Sequence, residues 1–276
     1  MKQILVVEDD RTARYLLSRT LKAAGFSVST AQDGVLGLQQ LRKKHFDLVL
    51  LDIWMPRMNG LELLAQMRLE TRHPKAVVMT SDQTPETLLR AVREQAYQYL
   101  SKPVDPKALV KLVQEALAAS AAAPIDVISA RPHWVELLLP CDMETAERIQ
   151  GFMAHLDADL SDEVRGAIGQ VFHEMLLNAI EWGGKLDPNR KVRVSYLRAK
   201  RMLLYRIADP GPGFKIEDLD HAAVSFTPDQ LMEHVEVRQQ KGLRPGGFGI
   251  LMSRAMVDEL IYNEAHNEVV FVKYLD

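Results

Sequence analysis

The sequence predicts an α/β protein with an open parallel sheet in its first half and a second domain mixing helix with strand. Three observations carry this reading. First, an apolar run, Leu48–Leu51, ends in a lone aspartate, Asp52, with Pro56 and an Asn59-Gly60 turn close behind. That pattern puts a carboxylate at the C-terminal mouth of a buried parallel strand, where open α/β sheets place their ligand sites. Second, Glu8-Asp9 follow Ile4–Val7, Thr80 follows Ala76–Met79, and Lys102 precedes Pro103, so each stands at the end of its own apolar run. Third, residues 161–182 read as one long helix, and two strands, Lys191–Leu197 and Met202–Ile207, come after it with a tight turn between.

The remaining elements follow from periodicity. Arg11–Ala24, Gly34–Lys44 and Leu61–Arg68 carry apolar residues at helical spacing, while FSVST and AVVMT read as strands. Leu109, Leu112, Val113 and Leu117 form the stripe of a helix that starts after Asp105-Pro106. The alanines of 118–123 have high helix propensity, so this helix is expected to run on toward Pro124, which stops it. The boundary between domains falls here, and the helix serves either as a mechanical coupling or as a spacer.

The residues at the strand ends suit phosphoryl transfer. A carboxylate such as Asp52 can accept a phosphoryl group as an acyl phosphate. The charge on the donor must be neutralised, which a hard cation such as Mg²⁺ on oxygen ligands does. Glu8 and Asp9 supply further carboxylates, Lys102 a mobile positive charge, and Thr80 a hydroxyl donor.

The motifs ILVVEDD, LLDIWMPRMNG, VVMTSD and YLSKP resemble those of the receiver domain of two-component response regulators, over residues 1–120. The resemblance implies a flavodoxin-like fold, a five-stranded parallel sheet with helices on both faces. It makes Asp52 the phosphoacceptor, and Glu8, Asp9, Asp52 and the backbone carbonyl of Trp54 the Mg²⁺ ligands. Thr80 and Tyr99 become the switch pair, and Lys102 the phosphate-contacting lysine. The partner implied is a histidine kinase.

Composition narrows the rest. A chain of 276 residues has room for two domains, and 47% hydrophobic with 26% charged residues is ordinary for a globular protein. No apolar run approaches the ~18–20 residues that span a bilayer, and Met1-Lys2-Gln3 leads straight into a strand, so neither a membrane nor a signal segment is expected. Cys141 is the single cysteine, which excludes an intrachain disulfide and suits a cytoplasmic location. Residues 1–124 hold 17 basic and 13 acidic side chains, and the remainder 17 and 24. An acidic second half lacks the basic footprint of a nucleic-acid-binding output, and no helix-turn-helix pattern follows residue 125.

That second half has its own constellation. Glu174 and Asn178 lie four apart, on one helical face. The second strand runs into Asp209-Pro210-Gly211-Pro212-Gly213, whose glycines let backbone approach a ligand. Arg244-Pro245-Gly246-Gly247-Phe248-Gly249 then opens the helical stretch Ile250–Val257, pointing N–H groups at an anion. Lys215–Leu243 between them is long and polar, as a lid would be.

Glu-x-x-x-Asn, D-x-G-x-G and G-x-G into a helix, in that order, resemble the ATP-binding domain shared by gyrases, a heat-shock chaperone family and histidine kinases, the GHKL type. The second domain is therefore expected as an α+β sandwich over 132–276, after a linker at 121–131. The layout is most similar to the small anti-sigma-factor serine kinases, with Val135–Leu139, Met143–His155, Glu259–Asn263 and Val269–Tyr274 in the matching places. By position, Asn178 ligates a second Mg²⁺, Asp209 binds adenine, Gly211, Gly213, Gly247 and Gly249 shape the ATP pocket, and Glu174 is the general base for a partner's serine. This chain has Trp182-Gly183 where members of that group often carry His-Gly, and its lid is longer. His173-Glu174 resembles the His-acid pair that histidine kinases autophosphorylate, but it lies inside the ATP-binding helix itself, so His173 is read as packed or solvated.

The function expected is a response regulator whose Asp52 controls an ATP-dependent serine-kinase-like output acting on an anti-anti-sigma (STAS-like) protein. The alternative is an output that binds ATP and sequesters a partner such as a sigma factor without transfer. Receiver domains often pair and the small kinases often dimerise, so the resemblance allows a homodimer.

Overall fold

In the computed structural model, which describes residues 1–70, 74–82, 84–119, 124–131, 133–157, 159–215 and 249–275, the chain forms two compact units, 1–122 and 123–276. In the first, strands β1 (Gln3–Val7), β2 (Ser27–Ala31), β3 (Leu48–Asp52), β4 (Lys75–Thr80) and β5 (Gln98–Ser101) pair in parallel in the order β2-β1-β3-β4-β5. All five residues of β3 are buried, as a central strand covered on both faces requires. The two faces alternate along the strands. Leu5, Val7, Val49, Leu51 and Val78 pack with Leu38 of α2 (Gly34–Lys43) and Leu63 and Leu64 of α3 (Gly60–Arg68). Ile4, Val6, Leu48, Leu50, Val77 and Met79 pack with Leu17 and Leu21 of α1 (Arg11–Ala23) and Leu109 and Val113 of α5 (Pro106–Ala118). Helix α4 (Pro85–Arg93) precedes β5.

Helix starts are set by side-chain caps. Asp10, Asp33, Asn59 and Asp105 each accept the N–H three residues on, and Asn59 with Glu62 completes a capping box. Helix α5 stops at Ala118, short of the expected run toward Pro124. Ala119 is extended, and Lys75 Nζ donates to the carbonyls of Ala116 and Ala119 at 3.0 Å each, satisfying helix-end acceptors that a further turn would have used.

The second unit is an α+β arrangement. Strands β6 (Asp126–Arg131), β7 (Trp134–Pro140), β8 (Lys191–Ala199), β9 (Met202–Ala208), β10 (Glu259–Tyr262) and β11 (Glu268–Tyr274) form an antiparallel sheet ordered β10-β11-β9-β8-β7-β6. Its helices are α6 (Met143–Leu156), α7 (Asp162–Asn178) and α8 (Gly249–Met256). Of the expected linker 121–131, residues 126–131 are strand: β6 pairs antiparallel with β7 and gives that edge its backbone partners. One face carries the core, with Leu137, Val194, Tyr196, Tyr205, Ile207 and Phe271 buried at alternate positions. Tyr205 stacks on Phe271 at 5.0 Å between ring centres and meets Phe172 of α7 at 5.4 Å.

A carboxylate is sealed into this core. Asp157, 2% exposed, accepts the hydroxyls of Tyr196 at 2.8 Å and Tyr205 at 2.7 Å. Burial raises its pKa, and the two hydroxyls and Arg198 offset part of that. Removing one donor strands a buried oxygen, so Tyr205→Phe is expected to cost about 1–3 kcal/mol in urea unfolding. The pH dependence has a sign. A carboxyl whose folded pKa lies above its ordinary 3.8 binds its proton more tightly in the fold, so its contribution is lost as pH rises through that interval. The stability of wild type minus Asp157→Asn should fall as pH is raised across it; a rising difference would contradict the assignment.

Candidate functional site

The crevice of the first unit opens where the chain reverses direction across the sheet, between β1 and β3. Glu8, Asp9 and Asp52 gather there, with one ligand oxygen from each within 4.8 Å of the others. Glu8 and Asp52 are buried, and Asp9 is exposed at the rim. Lys102 follows β5, and its N–H donates to Thr80 O at 3.0 Å. Its ammonium lies 2.7 Å from Glu8 Oε2 and 2.9 Å from Asp52 Oδ2. Burial pushes the Glu8 carboxyl up, Asp52 adds to the rise, and Lys102 opposes it. For Lys102, burial works against the charge, but Glu8 and Asp52 outweigh it and hold the ammonium above its ordinary range. Asp52 Oδ1 is buried with no hydrogen-bond partner among the described residues. An unpaired oxygen amid three carboxylates fits a hard, oxygen-seeking cation such as Mg²⁺.

The loops around this pocket are held in place. Arg14 Nη1 donates to the carbonyls of Glu8 at 2.5 Å and Asp9 at 2.9 Å. A side chain on Gly60 would overlap the carbonyl of Asp52, so the Asn59-Gly60 turn closes directly on β3. Arg57, at φ 69°, pairs with the buried Asp33. Trp54 is 57% exposed.

Thr80 and Tyr99 meet through an intermediary. Asp82 N–H donates to Thr80 Oγ1 at 3.0 Å, and the Tyr99 hydroxyl reaches Asp82 O at 3.4 Å. The Asp82 carboxylate accepts Thr84 N–H and the Thr87 hydroxyl; these donors outweigh burial and keep its pKa below the ordinary value. Asp82 went unmarked in the sequence because an aspartate two residues past a strand reads as an ordinary turn former.

In the second unit, Glu174 and Asn178 share α7 as expected, but the helix does not run evenly to residue 182. The α-helix ends at Asn178 and Ala179–Gly183 form a π-helical turn. The wider turn brings Gly183 against Asp209, where any side chain would overlap the carboxylate. Asp209 Oδ1 accepts Gly211 N–H at 2.7 Å, and burial raises the Asp209 pKa despite that donor and Arg190. Gly213 has φ +83°. A side chain on Gly249 would come within 2.6 Å of Glu174 Oε2, so the start of α8 adjoins Glu174. Asp209, Gly183 and Gly211 thus form one cluster and Glu174 with Gly249 another, while Gly213 lies against Ala265. Gly247 and the expected lid beyond Lys215 lie outside the described residues. Spacing gave no hint that Gly183 would meet Asp209, since a π turn has no sequence signature of its own.

Known proteins agree with both halves. The family model of the response regulator receiver domain matches residues 4–114, and that of the histidine kinase-like ATPase domain matches 139–273. The DNA-binding response regulator MtrA of Mycobacterium tuberculosis H37Rv is 30% identical over 202 residues, covering 72% of this chain and 87% of MtrA. The DNA-binding transcriptional regulator NtrC of Escherichia coli K12 is 37% identical over 116 residues, 41% of this chain and 24% of NtrC. Among solved structures, chemotaxis protein CheY4 of Vibrio cholerae is 31% identical, covers 42% of this chain and 98% of its own, and superposes with a TM-score of 0.41. The chain belongs to the response regulators: it is a receiver domain followed by a histidine-kinase-like ATPase domain. It is a two-component protein with an ATP-binding output domain.

Two substitutions test whether the Asp209 cluster receives the nucleotide. Gly183→Ala should lower ATP affinity at least tenfold in a calorimetric titration, because its methyl group overlaps Asp209. Gly169→Ala, where a Cβ meets nothing within 4 Å, should leave affinity unchanged and raise stability by up to about 1 kcal/mol through helix propensity.

Proposed function

We propose that Asp52 is the phosphoacceptor of a partner histidine kinase and that its phosphorylation controls an ATP-dependent serine-kinase-like output. The observation that carries the first half is the buried Asp52 carboxylate, whose Oδ1 has no hydrogen-bond partner among the described residues and whose Oδ2 lies 2.9 Å from Lys102 Nζ. In this reading an Asp52 oxygen attacks the phosphorus of the donor's phosphohistidine, the N–P bond breaks, and the imidazole leaves. Glu8, Asp9, Asp52 and the Trp54 carbonyl hold Mg²⁺, which neutralises phosphoryl charge when bound. Lys102 then exchanges its carboxylate contacts for a phosphoryl oxygen. Thr80 turns its hydroxyl to another oxygen, releasing Asp82 N–H, and Tyr99 responds because its hydroxyl reaches the same Asp82.

In the output domain, Asp209 accepts the exocyclic amine of adenine, Gly211, Gly213, Gly247 and Gly249 admit the nucleotide, and Asn178 holds its Mg²⁺. Glu174 takes the proton of a partner serine as the hydroxyl oxygen attacks the γ-phosphorus and ADP leaves. The adjacency of Glu174 to the start of α8 supports this, since the free N–H groups at a helix start are suited to receive phosphate oxygens. The partner class is a small anti-anti-sigma (STAS-like) protein. The domain could instead sequester a partner such as a sigma factor without transfer. Trp182-Gly183, in place of the His-Gly of the small kinases, favours keeping that second reading. MtrA and NtrC are named as DNA-binding; the acidic balance of residues 125–276 and the ATPase match favour a protein partner here.

With a small acyl phosphate as donor, wild type should take up label in a Mg²⁺-dependent way and Asp52→Asn should not; equal labelling of the variant would exclude Asp52. With γ-labelled ATP and a STAS-like protein, Glu174→Gln should lose at least 100-fold in serine labelling yet bind ATP as wild type does. Binding without label in the wild type would move the function to sequestration.

A further inference from the structure

The Asp209–Gly213 turn has few backbone donors of its own. Pro210 and Pro212 have no N–H, so two of its five residues lack the donor that stabilises ordinary turns. Gly211 N–H is already committed to the Asp209 side chain at 2.7 Å. The carbonyls of Pro210 and Gly211 therefore need donors from elsewhere in the fold, and both have one. Arg190, immediately before β8, donates from Nη2 to Pro210 O at 2.6 Å. Asn267, immediately before β11, donates from Nδ2 to Gly211 O at 3.0 Å, and its own carbonyl accepts Asp209 N–H at 2.9 Å.

The orientation of the Asn267 amide follows from its neighbours. Asn263 Oδ1 accepts the backbone N–H groups of Asn267 at 3.1 Å and Glu268 at 3.2 Å. That leaves Asn263 Nδ2 to donate to Asn267 Oδ1 at 2.8 Å. With its oxygen so occupied, Asn267 presents its NH₂ to Gly211. The β10–β11 loop that carries these residues presses on the turn at two further points. Phe214 N–H donates to Ala265 O at 3.2 Å, and a side chain on Gly213 would overlap that same carbonyl. The rings of Phe214, Tyr262 and His266 then close the far side, with centres 5.1–5.6 Å apart.

We propose that Asn267 and Arg190 are positioning residues of the nucleotide site, clamping the 209–213 turn from its two sides and so setting where Asp209 meets a purine ring. The inference rests on the reading of Asp209 as the adenine acceptor. It assigns to the β10–β11 loop, which lies more than 50 residues away in sequence, a part in choosing between purines. Adenine offers an exocyclic amine to a correctly placed carboxylate, and guanine offers a carbonyl at the same position. Displacing the carboxylate should therefore cost ATP more than GTP.

The test titrates the full-length protein with ATP and with GTP in a calorimeter. Asn267→Asp keeps the shape but replaces the donor with an oxygen facing Gly211 O. Asn267→Ala removes the donor without adding charge. Both are expected to weaken ATP at least tenfold and to shrink the ATP-over-GTP ratio. Arg190→Ala should act in the same direction, and Arg190→Lys, which keeps a donor, should recover much of the loss. Acyl-phosphate labelling of Asp52 should be unchanged throughout. Wild-type ATP affinity and selectivity in both Asn267 variants would overturn the proposal. So would equal weakening of both nucleotides, since that is the effect of general loosening. If wild type itself binds no ATP, the reading of Asp209 fails and takes this inference with it. If wild type binds ATP and the variants do not differ from it, only the clamp is lost.

Discussion

A buried carboxylate is stable only when a cation or a set of donors stands beside it, and this requirement organises both halves of the protein. In the first unit, Glu8 and Asp52 are nearly inaccessible and lie close enough to repel one another. The Lys102 ammonium lies between them, within 3 Å of both. In the second, Asp157 is held by two tyrosine hydroxyls and Asp209 by the N–H of Gly211. Asp157 has its donors inside the core and reads as structural. Asp52 keeps one oxygen without a hydrogen-bond partner among the described residues, and the Asp209 carboxylate packs directly against Gly183 and Gly211.

The backbone around these groups is arranged to let them converge. Gly60 closes the loop after β3 onto Asp52, and Gly183 lets the end of α7 reach Asp209. At each place a methyl group would occupy space already filled. The parallel sheet of the first unit delivers carboxylates and lysine from three strand ends to one crevice. The antiparallel sheet of the second does the corresponding work with a helix, a strand end and a hairpin loop.

The two sites differ in chemical lifetime. Under the proposed function, an acyl phosphate on Asp52 would be a covalent mark that persists until hydrolysed, whereas a nucleotide at Asp209 would exchange by diffusion. A chain that joins them can make a slow signal govern a fast binding event. In the first unit Asp82 ties these elements together: Thr80 and Tyr99 both reach it, and its own carboxylate is held by Thr84 and Thr87 at the start of α4.

Much of this was legible in the chain. The apolar runs ending in Glu8-Asp9, Asp52, Thr80 and before Lys102 predicted the parallel sheet and the residues at its mouth, because side chains at strand ends are placed by the strands themselves. Glu174 and Asn178, one helical turn apart, share a helix as their spacing predicted, and Asp209 follows the end of a strand for the same local reason. Three things came only from tertiary structure. Residues 126–131 became a strand because β7 offered an open edge to pair with. The helix after Asn178 widens into a π turn, and Gly183 at its end packs against Asp209. Asp82, Arg190 and Asn267 acquired their places through hydrogen bonds to groups that have no periodic relation to them in sequence. Local spacing determines which residues an element can present, and packing between distant elements decides which of them meet.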